Sequence, residues 1–179
     1  MKNRGGWFMS ADDYIKRGID LAHEGELERA LTDFNKAIAI NSKRAKAYAN
    51  RAVVYREMGE LEKAAQDCNK AIEIDPTIVE AYGNLSAIYV NMDEFERAIE
   101  ECGKAIEIDP DFPEAYINRS SAYIKMGELE KAAQDCNKAI EIDPTIALAY
   151  YNRSSVYIEM DELEKAAQDC NKAIEIDPT

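Results

Sequence analysis

One string recurs through this chain at a fixed spacing. MGELEKAAQDCNKAIEIDPTI occupies positions 58–78 and again 126–146, and MDELEKAAQDCNKAIEIDPT occupies 160–179. The separations are 34 residues or twice that, with no insertion, which divides the chain into units 11–44, 45–78, 79–112, 113–146 and 147–179. A period of this size marks stacked supersecondary units, none of which buries its apolar face without a neighbour. Residues 1–10, MKNRGGWFMS, fall outside the repeat and read as a leader or a tag remnant.

Within each unit, apolar residues recur at helical spacing in two runs. In the second unit the first run carries Tyr48, Ala52 and Tyr55, and the second carries Leu61, Ala64, Ala65, Cys68, Ala71 and Ile72. Between the runs stands Gly25, Gly59 or Gly127, or else Asp93 or Asp161, residues that tolerate the left-handed turn ending a helix. Asp-Pro follows the second run at Pro76, Pro110, Pro144 and Pro178, where proline cannot continue the helical ladder. The first unit has Asn41-Ser42 at that place, so its boundary is expected to be softer. Five helix–turn–helix pairs, helix A then helix B, and no strand are the expected result.

The residues at fixed positions resemble the tetratricopeptide repeat, which places an aromatic, a small residue and a second aromatic on helix A, Ala-aromatic-Ala on helix B, and then proline. The fourth unit supplies Tyr116, Ser120, Tyr123, Ala132, Cys136, Ala139 and Pro144, and the match runs over 11–179. The resemblance implies an all-α, right-handed superhelical solenoid, concave on the helix A side, whose members mostly bind peptides or proteins in that groove. The NRSSAY and QDC strings are similar to the middle repeat of co-chaperone domains that clamp acidic carboxy-termini. That clamp needs Lys and Asn at helix A positions 5 and 9 of one repeat, Asn at 6 of the next, and Lys and Arg at 2 and 6 of the third. Here the first three units offer Ile15 and Ile19, then Asn50, then Glu80 and Asn84, so only the middle Asn matches and the clamp is not intact.

Several residue types that invite a chemical role read as packing instead. Nine of the ten tyrosines occupy two helix A positions, namely Tyr14, Tyr48, Tyr82, Tyr116 and Tyr150, and Tyr55, Tyr89, Tyr123 and Tyr157. Cys68, Cys102, Cys136 and Cys170 share one helix B position with Phe34; equivalent helices lie roughly 8–10 Å apart, too far for a disulfide. Nor do they form the closely spaced pairs of a zinc site, and they read as small buried fillers. Arg17, Arg51, Arg119 and Arg153 stand where they can reach the helix B position held by Asp33, Asp67, Glu101, Asp135 and Asp169, an inter-helix ion pair unless a ligand claims them. His23 has no nucleophile or carboxylate constellation around it, and no phosphate-binding loop follows a strand. The chain is therefore expected to be no enzyme and to need no cofactor or metal.

The family's groove positions map onto helix A residue by residue. The sixth position carries a ladder, Asn50, Asn84, Asn118 and Asn152, resembling that of the repeat domain of O-linked N-acetylglucosamine transferase. An amide offers both donor and acceptor and pairs with any peptide backbone, although the same residue also serves contacts between helices. The cations Lys16, Lys46, Arg56 and Lys125 and the hydroxyls of Ser121 and Ser155 lie on the same mapped surface. Val53, Val90, Ile117, Ile124 and Ile158 are candidate apolar pockets, and Tyr151, the one tyrosine off the core pattern, is a candidate anchor.

The formal net charge is −13, yet mapped groove cations and carboxylates nearly balance, which assigns most of the acidity to helix B and the loops. The net negative charge disfavours a nucleic-acid partner. No apolar run is long enough to span a membrane, and no secretory signal opens the chain, so a cytoplasmic protein is expected. The fifth unit has no capping helix after Asp177-Pro178-Thr179, and its apolar helix B is expected to pack on another copy or on more of the array. The leading expectation is a scaffold that binds an extended protein or peptide segment. The alternatives are a self-assembling structural module and a targeting fragment of a larger protein. The near-identity of units two, four and five also admits recent duplication or deliberate consensus design.

Overall fold

The computed structural model describes residues 9–178. Ten α-helices follow one another among these residues, with no strand: α1 Ala11–His23, α2 Leu27–Ile40, α3 Ala45–Glu57, α4 Leu61–Ile74, α5 Val79–Asn91, α6 Phe95–Ile108, α7 Pro113–Lys125, α8 Leu129–Ile142, α9 Ala147–Glu159 and α10 Leu163–Ile176. Odd numbers are helices A and even numbers helices B of the 34-residue period. The chain divides into two compact units, Met1–Ala81 and Tyr82–Thr179, with the division inside α5. Each is a stack of helical hairpins.

The turn inside each hairpin closes the same way five times. Gly25, Gly59 and Gly127 take φ of +76°, +76° and +73°, and Asp93 and Asp161 take 58° and 59°. In the first hairpin Gly25 N–H donates to Ala22 O at 3.0 Å and Glu26 N–H donates to Leu21 O at 2.9 Å, the paired bonds of a Schellman closure. Glu60, Glu94, Glu128 and Glu162 repeat the longer bond to Tyr55, Tyr89, Tyr123 and Tyr157. The glutamate that opens each helix B then meets a cation three residues on, Arg29, Lys63, Arg97, Lys131 or Lys165.

Helix B ends in an Asx turn in which Asp75 and Asp143 accept from the backbone N–H and hydroxyl of Thr77 and Thr145. The first boundary, which lacks the proline, has the same geometry as a later one. Asn41 leaves α2 at φ −148°, ψ 99°, close to the −138°, 96° of Asp75, and its Oδ1 accepts from Lys43 N–H at 2.9 Å. Asparagine makes the same turn as aspartate, with or without the proline after it.

The core is built at recurring positions. Phe34, Cys68, Cys102 and Cys136 are fully buried, as are Ala30, Ala64, Ala98 and Ala132 one helical turn before them. In the first unit Ile15, Leu21, Phe34, Ala37, Ala47 and Val54 form one apolar cluster, with Tyr14 and Leu31 packed on it. In the second compact unit, 82–179, Tyr116, Ile117, Ala139 and Ala149 form another. Phe34 lies so close to Gly18 that a Cβ there would sit 2.8 Å from the ring, which explains a glycine inside α1.

Candidate binding surface on the A helices

The four arginines singled out in the sequence are structural. Each places Nε and one terminal nitrogen on the two oxygens of its helix B aspartate: Arg17 on Asp33, Arg51 on Asp67, Arg119 on Asp135 and Arg153 on Asp169, at 2.5–2.8 Å. A planar fork matched to a carboxylate is the strong form of this contact. The guanidiniums also lie over tyrosine faces: Arg51 is 5.5 Å from the Tyr48 ring centroid and 5.6 Å from that of Tyr55. Arg51 and Arg153 spend a further N–H on Asn35 and Asn137 of the preceding helix B. The third repeat replaces the arginine with fully packed Leu85, and its Glu101 turns to Lys104 at 3.0 Å. These side chains hold hairpins together and leave none of their forks for a ligand.

The asparagine ladder is also occupied, in a way that depends on the rung. Asn118 Nδ2 donates to Gly83 O at 3.0 Å and to Ser86 Oγ at 3.1 Å. Asn152 Nδ2 donates to Ser120 Oγ at 3.0 Å and Ser121 Oγ at 2.9 Å, and reaches Ile117 O at 3.4 Å. Both amide nitrogens thus join one helix A to the helix A before it. Asn152 is buried, Asn84 is half-buried, and Asn50 turns back to Lys46 O in its own helix at 2.7 Å.

A second groove position behaves likewise. Ile15, Ala49 and Gly83 are buried and Ile117 is 3% exposed within its cluster, whereas Tyr151 at the same position is 60% exposed. Ile117 is thus a core residue, because α9 packs over it; nothing among the described residues covers Tyr151. Val53, Arg56 and Ile124 are half-exposed, and Lys16, Lys46 and Lys125 are exposed. Ser121 and Ser155 are half-exposed and donate their hydroxyls to Ile117 O and Tyr151 O one turn earlier.

The first unit carries an open cleft of about 580 Å³ on this surface. Asp12, Ile15, Lys16, Ile19 and Lys46 line it from the mapped groove positions. Lys43, Arg44, Ala45, Ile74 and Asp75 complete it, and they were not singled out in the sequence because they lie in the turn before α3 and at the end of α4. A signal was available: the turn reads Lys43-Arg44 where the later turns read Thr77-Ile78, Asp111-Phe112 and Thr145-Ile146.

The cysteines behave as packing residues. Burial pushes the Cys68 thiol up to about 12 and those of Cys102 and Cys136 up to about 11. All four are free, and Cys170 is only partly buried. Among the described residues no group of three or more His, Cys, Asp or Glu side chains is placed to hold a metal. No described helix is long and apolar enough to cross a membrane.

Family models described as tetratricopeptide repeat match residues 45–78, 113–146 and 147–179, and a further one matches 68–100. A model described as TPR repeat matches 20–59 and 88–127. No curated protein matches the chain. Among solved structures, a thermophilic tetratricopeptide-repeat protein of Thermus thermophilus is similar at a TM-score of 0.86 and 21% identity, covering 95% of this chain and 93% of that one. PilF of Pseudomonas aeruginosa is similar at 0.82 and 20% identity, covering 92% and 75%. YrrB, described as a tetratricopeptide-repeat protein with an unusual peptide-binding site, is similar at 0.65 and 28% identity, covering 94% and 87%. Ten helices in hairpins of one period, and repeat models matching most of their length, make this chain a member of the tetratricopeptide-repeat family, whose fold is a scaffold for protein–protein interaction.

Proposed function

We propose that the chain binds an extended protein or peptide segment on the exposed surface of its A helices. The cleft of the first unit carries this reading, because half of its lining comes from groove positions and it is open enough to admit a chain. Peptide binding by YrrB, 28% identical over most of both chains, adds support. The asparagines enter this reading in a revised role. Asn118 and Asn152 spend their amide nitrogens on stacking, which leaves the carbonyl oxygen as the part a peptide N–H would meet. In the first compact unit the half-exposed Val53 and the cations Lys16, Lys46 and Arg56 belong to this reading; in the second, the half-exposed Ile124 and the exposed Lys125 do.

A displayed peptide library selected on the full chain, followed by backbone amide NMR with a selected peptide, tests this. Shifts concentrated on α1, α3, α5, α7 and α9 are the expected outcome. Binding confined to the B helices, or no selected peptide at all, sinks the reading. Replacing both Asn84 and Asn118 with alanine should weaken binding, but Asn118 also braces α7, so helicity must be followed in parallel.

A second reading, association between copies, rests on exposed apolar side chains of the fifth repeat. Leu148, Tyr151, Ile158, Leu163 and Ile174 are each more than half exposed there. The first repeat is different in kind. Asp13 and Asp20 are exposed at positions where later repeats bury Ala47, Ala81, Ala115 and Ala149, or Val54, Ile88, Ala122 and Val156. A charged face does not receive an apolar one, so this reading pairs two fifth repeats rather than stacking copies head to tail. Sedimentation over a concentration series, with Tyr151→Glu/Ile174→Glu as control, decides it. A monomer at every concentration removes it.

A further inference from the structure

We infer that the cleft of the first unit takes an acidic peptide segment, with carboxylates over Lys16, Lys43 and Lys46 and an aliphatic side chain between them. This deepens the groove reading and rests on it.

The argument starts from how the lysines are used. Among the described residues, Lys36, Lys63, Lys70, Lys104, Lys131, Lys138, Lys165 and Lys172 all lie within ion-pair distance of a carboxylate. Lys16, Lys43, Lys46 and Lys125 do not, and three of these four line the one cleft. In a chain of net charge −13, three lysines without an ion pair in a single cleft make a local excess of positive charge.

Each carboxylate that lines the cleft has a partner other than these lysines. Asp12 binds Arg44 at 2.8 Å, and Asp75 accepts the backbone N–H and hydroxyl of Thr77. Asp13, whose carboxyl is held low mainly by the Ser10 backbone bond and in smaller part by Lys16, caps α1. The cleft lining holds four cations against two carboxylates, and one of those carboxylates is paired with Arg44.

The backbone adds to this. α3 begins at Ala45 on the cleft wall, and no side chain caps it. Its first-turn N–H groups favour negative charge in the same place. Ile15, Ile19 and Ile74 supply the apolar part of the wall, which selects an aliphatic neighbour over a bare anion. The cations sit at the sixth position of α1, in the turn, and at the second position of α3. The positions a carboxylate clamp would use hold Ile15 and Ile19, so this is a different site from that clamp.

The test is calorimetry on the full chain with two blocked hexapeptides, Glu-Leu-Glu-Leu-Glu-Leu and its glutamine isostere. The glutamate peptide should bind about tenfold more tightly or better, with the preference shrinking as salt rises from about 20 to about 300 mM. Lys16→Gln/Lys43→Gln/Lys46→Gln should abolish the preference, and Lys172→Gln, on the last B helix and outside the cleft, should leave it intact. The single variant Lys43→Glu, in a loop, guards against a folding artefact and should itself weaken the glutamate peptide. Equal affinity for the two peptides, a preference retained in the triple variant, or no binding of either peptide overturns the inference. Equal affinity with amide shifts still on α1 and α3 leaves the groove reading standing, so the two fail separately.

Discussion

Replacing Asp135 with alanine removes both acceptors of the Arg119 fork, each at 2.8 Å, and leaves the guanidinium beside the Tyr116 ring. The Asp135 side chain is 9% exposed and that of Arg119 is 24% exposed. Breaking a fully buried pair costs about 3–5 kcal/mol, because the surviving charge stays unpaired. Arg119 keeps a quarter of its surface in water and rehydrates in part, which puts the cost nearer to about 2–3 kcal/mol. The third repeat shows how the cost is relieved. Leu85 and Glu101 occupy the equivalent positions, and Lys104 meets Glu101 from three residues on. Lys138 stands at the matching place in the fourth repeat. The double variant Arg119→Leu/Asp135→Glu therefore imports a solution already present in the fold, and should lie within about 1 kcal/mol of the unmodified chain. Urea unfolding followed by helicity, with hydrogen exchange on α7 and α8 because repeat arrays open locally, measures both. A single-variant loss below about 1 kcal/mol would show that water screens the pair. A double variant as unstable as the single would show that the two residues are not coupled.

Gly18→Ala should destabilise by about 1–3 kcal/mol, because its Cβ would meet the fully buried Phe34 ring at 2.8 Å. Gly103→Ala, in α6 with open space around it, should stabilise by about 0.5–1 kcal/mol, and thermal melts giving both variants the same sign would refute the packing account. Thiol-reagent titration near pH 8 should modify Cys170 first and leave Cys68, Cys102 and Cys136 unreacted until the chain unfolds, since burial raises those three thiols to about 12, 11 and 11. Rapid loss of all four thiols would contradict it. The Arg17 hydrogen bond holds Asp33 below its ordinary 3.8, so its contribution to stability is complete above that pH and is lost as pH falls through the lower folded value. Carbon-13 titration of the Asp33 carboxyl checks this, and a midpoint at or above 3.8 would refute it.

The period, the two helices of each repeat, the turn residues and the Arg–Asp pairs were all legible in the sequence. They rest on local rules: helical spacing of apolar residues, left-handed φ at Gly25 or Asp93, and charges brought together by one hairpin. Tertiary structure decided which side chains remained available for a partner. Asn118 and Asn152 carry the same amide whether it faces a peptide or the preceding helix; packing of one helix A against another turned their nitrogens inward. Ile117 and Tyr151 share a position, and only the presence of α9 over Ile117 makes one core and the other surface. The cleft was the least legible feature, because Lys16, Lys43, Lys46 and Ile74 come from four different segments of the chain. A linear pattern reports what lies one turn or one repeat away. Which charges remain unpaired depends on where every other charge has gone, and only the folded hairpins settle that.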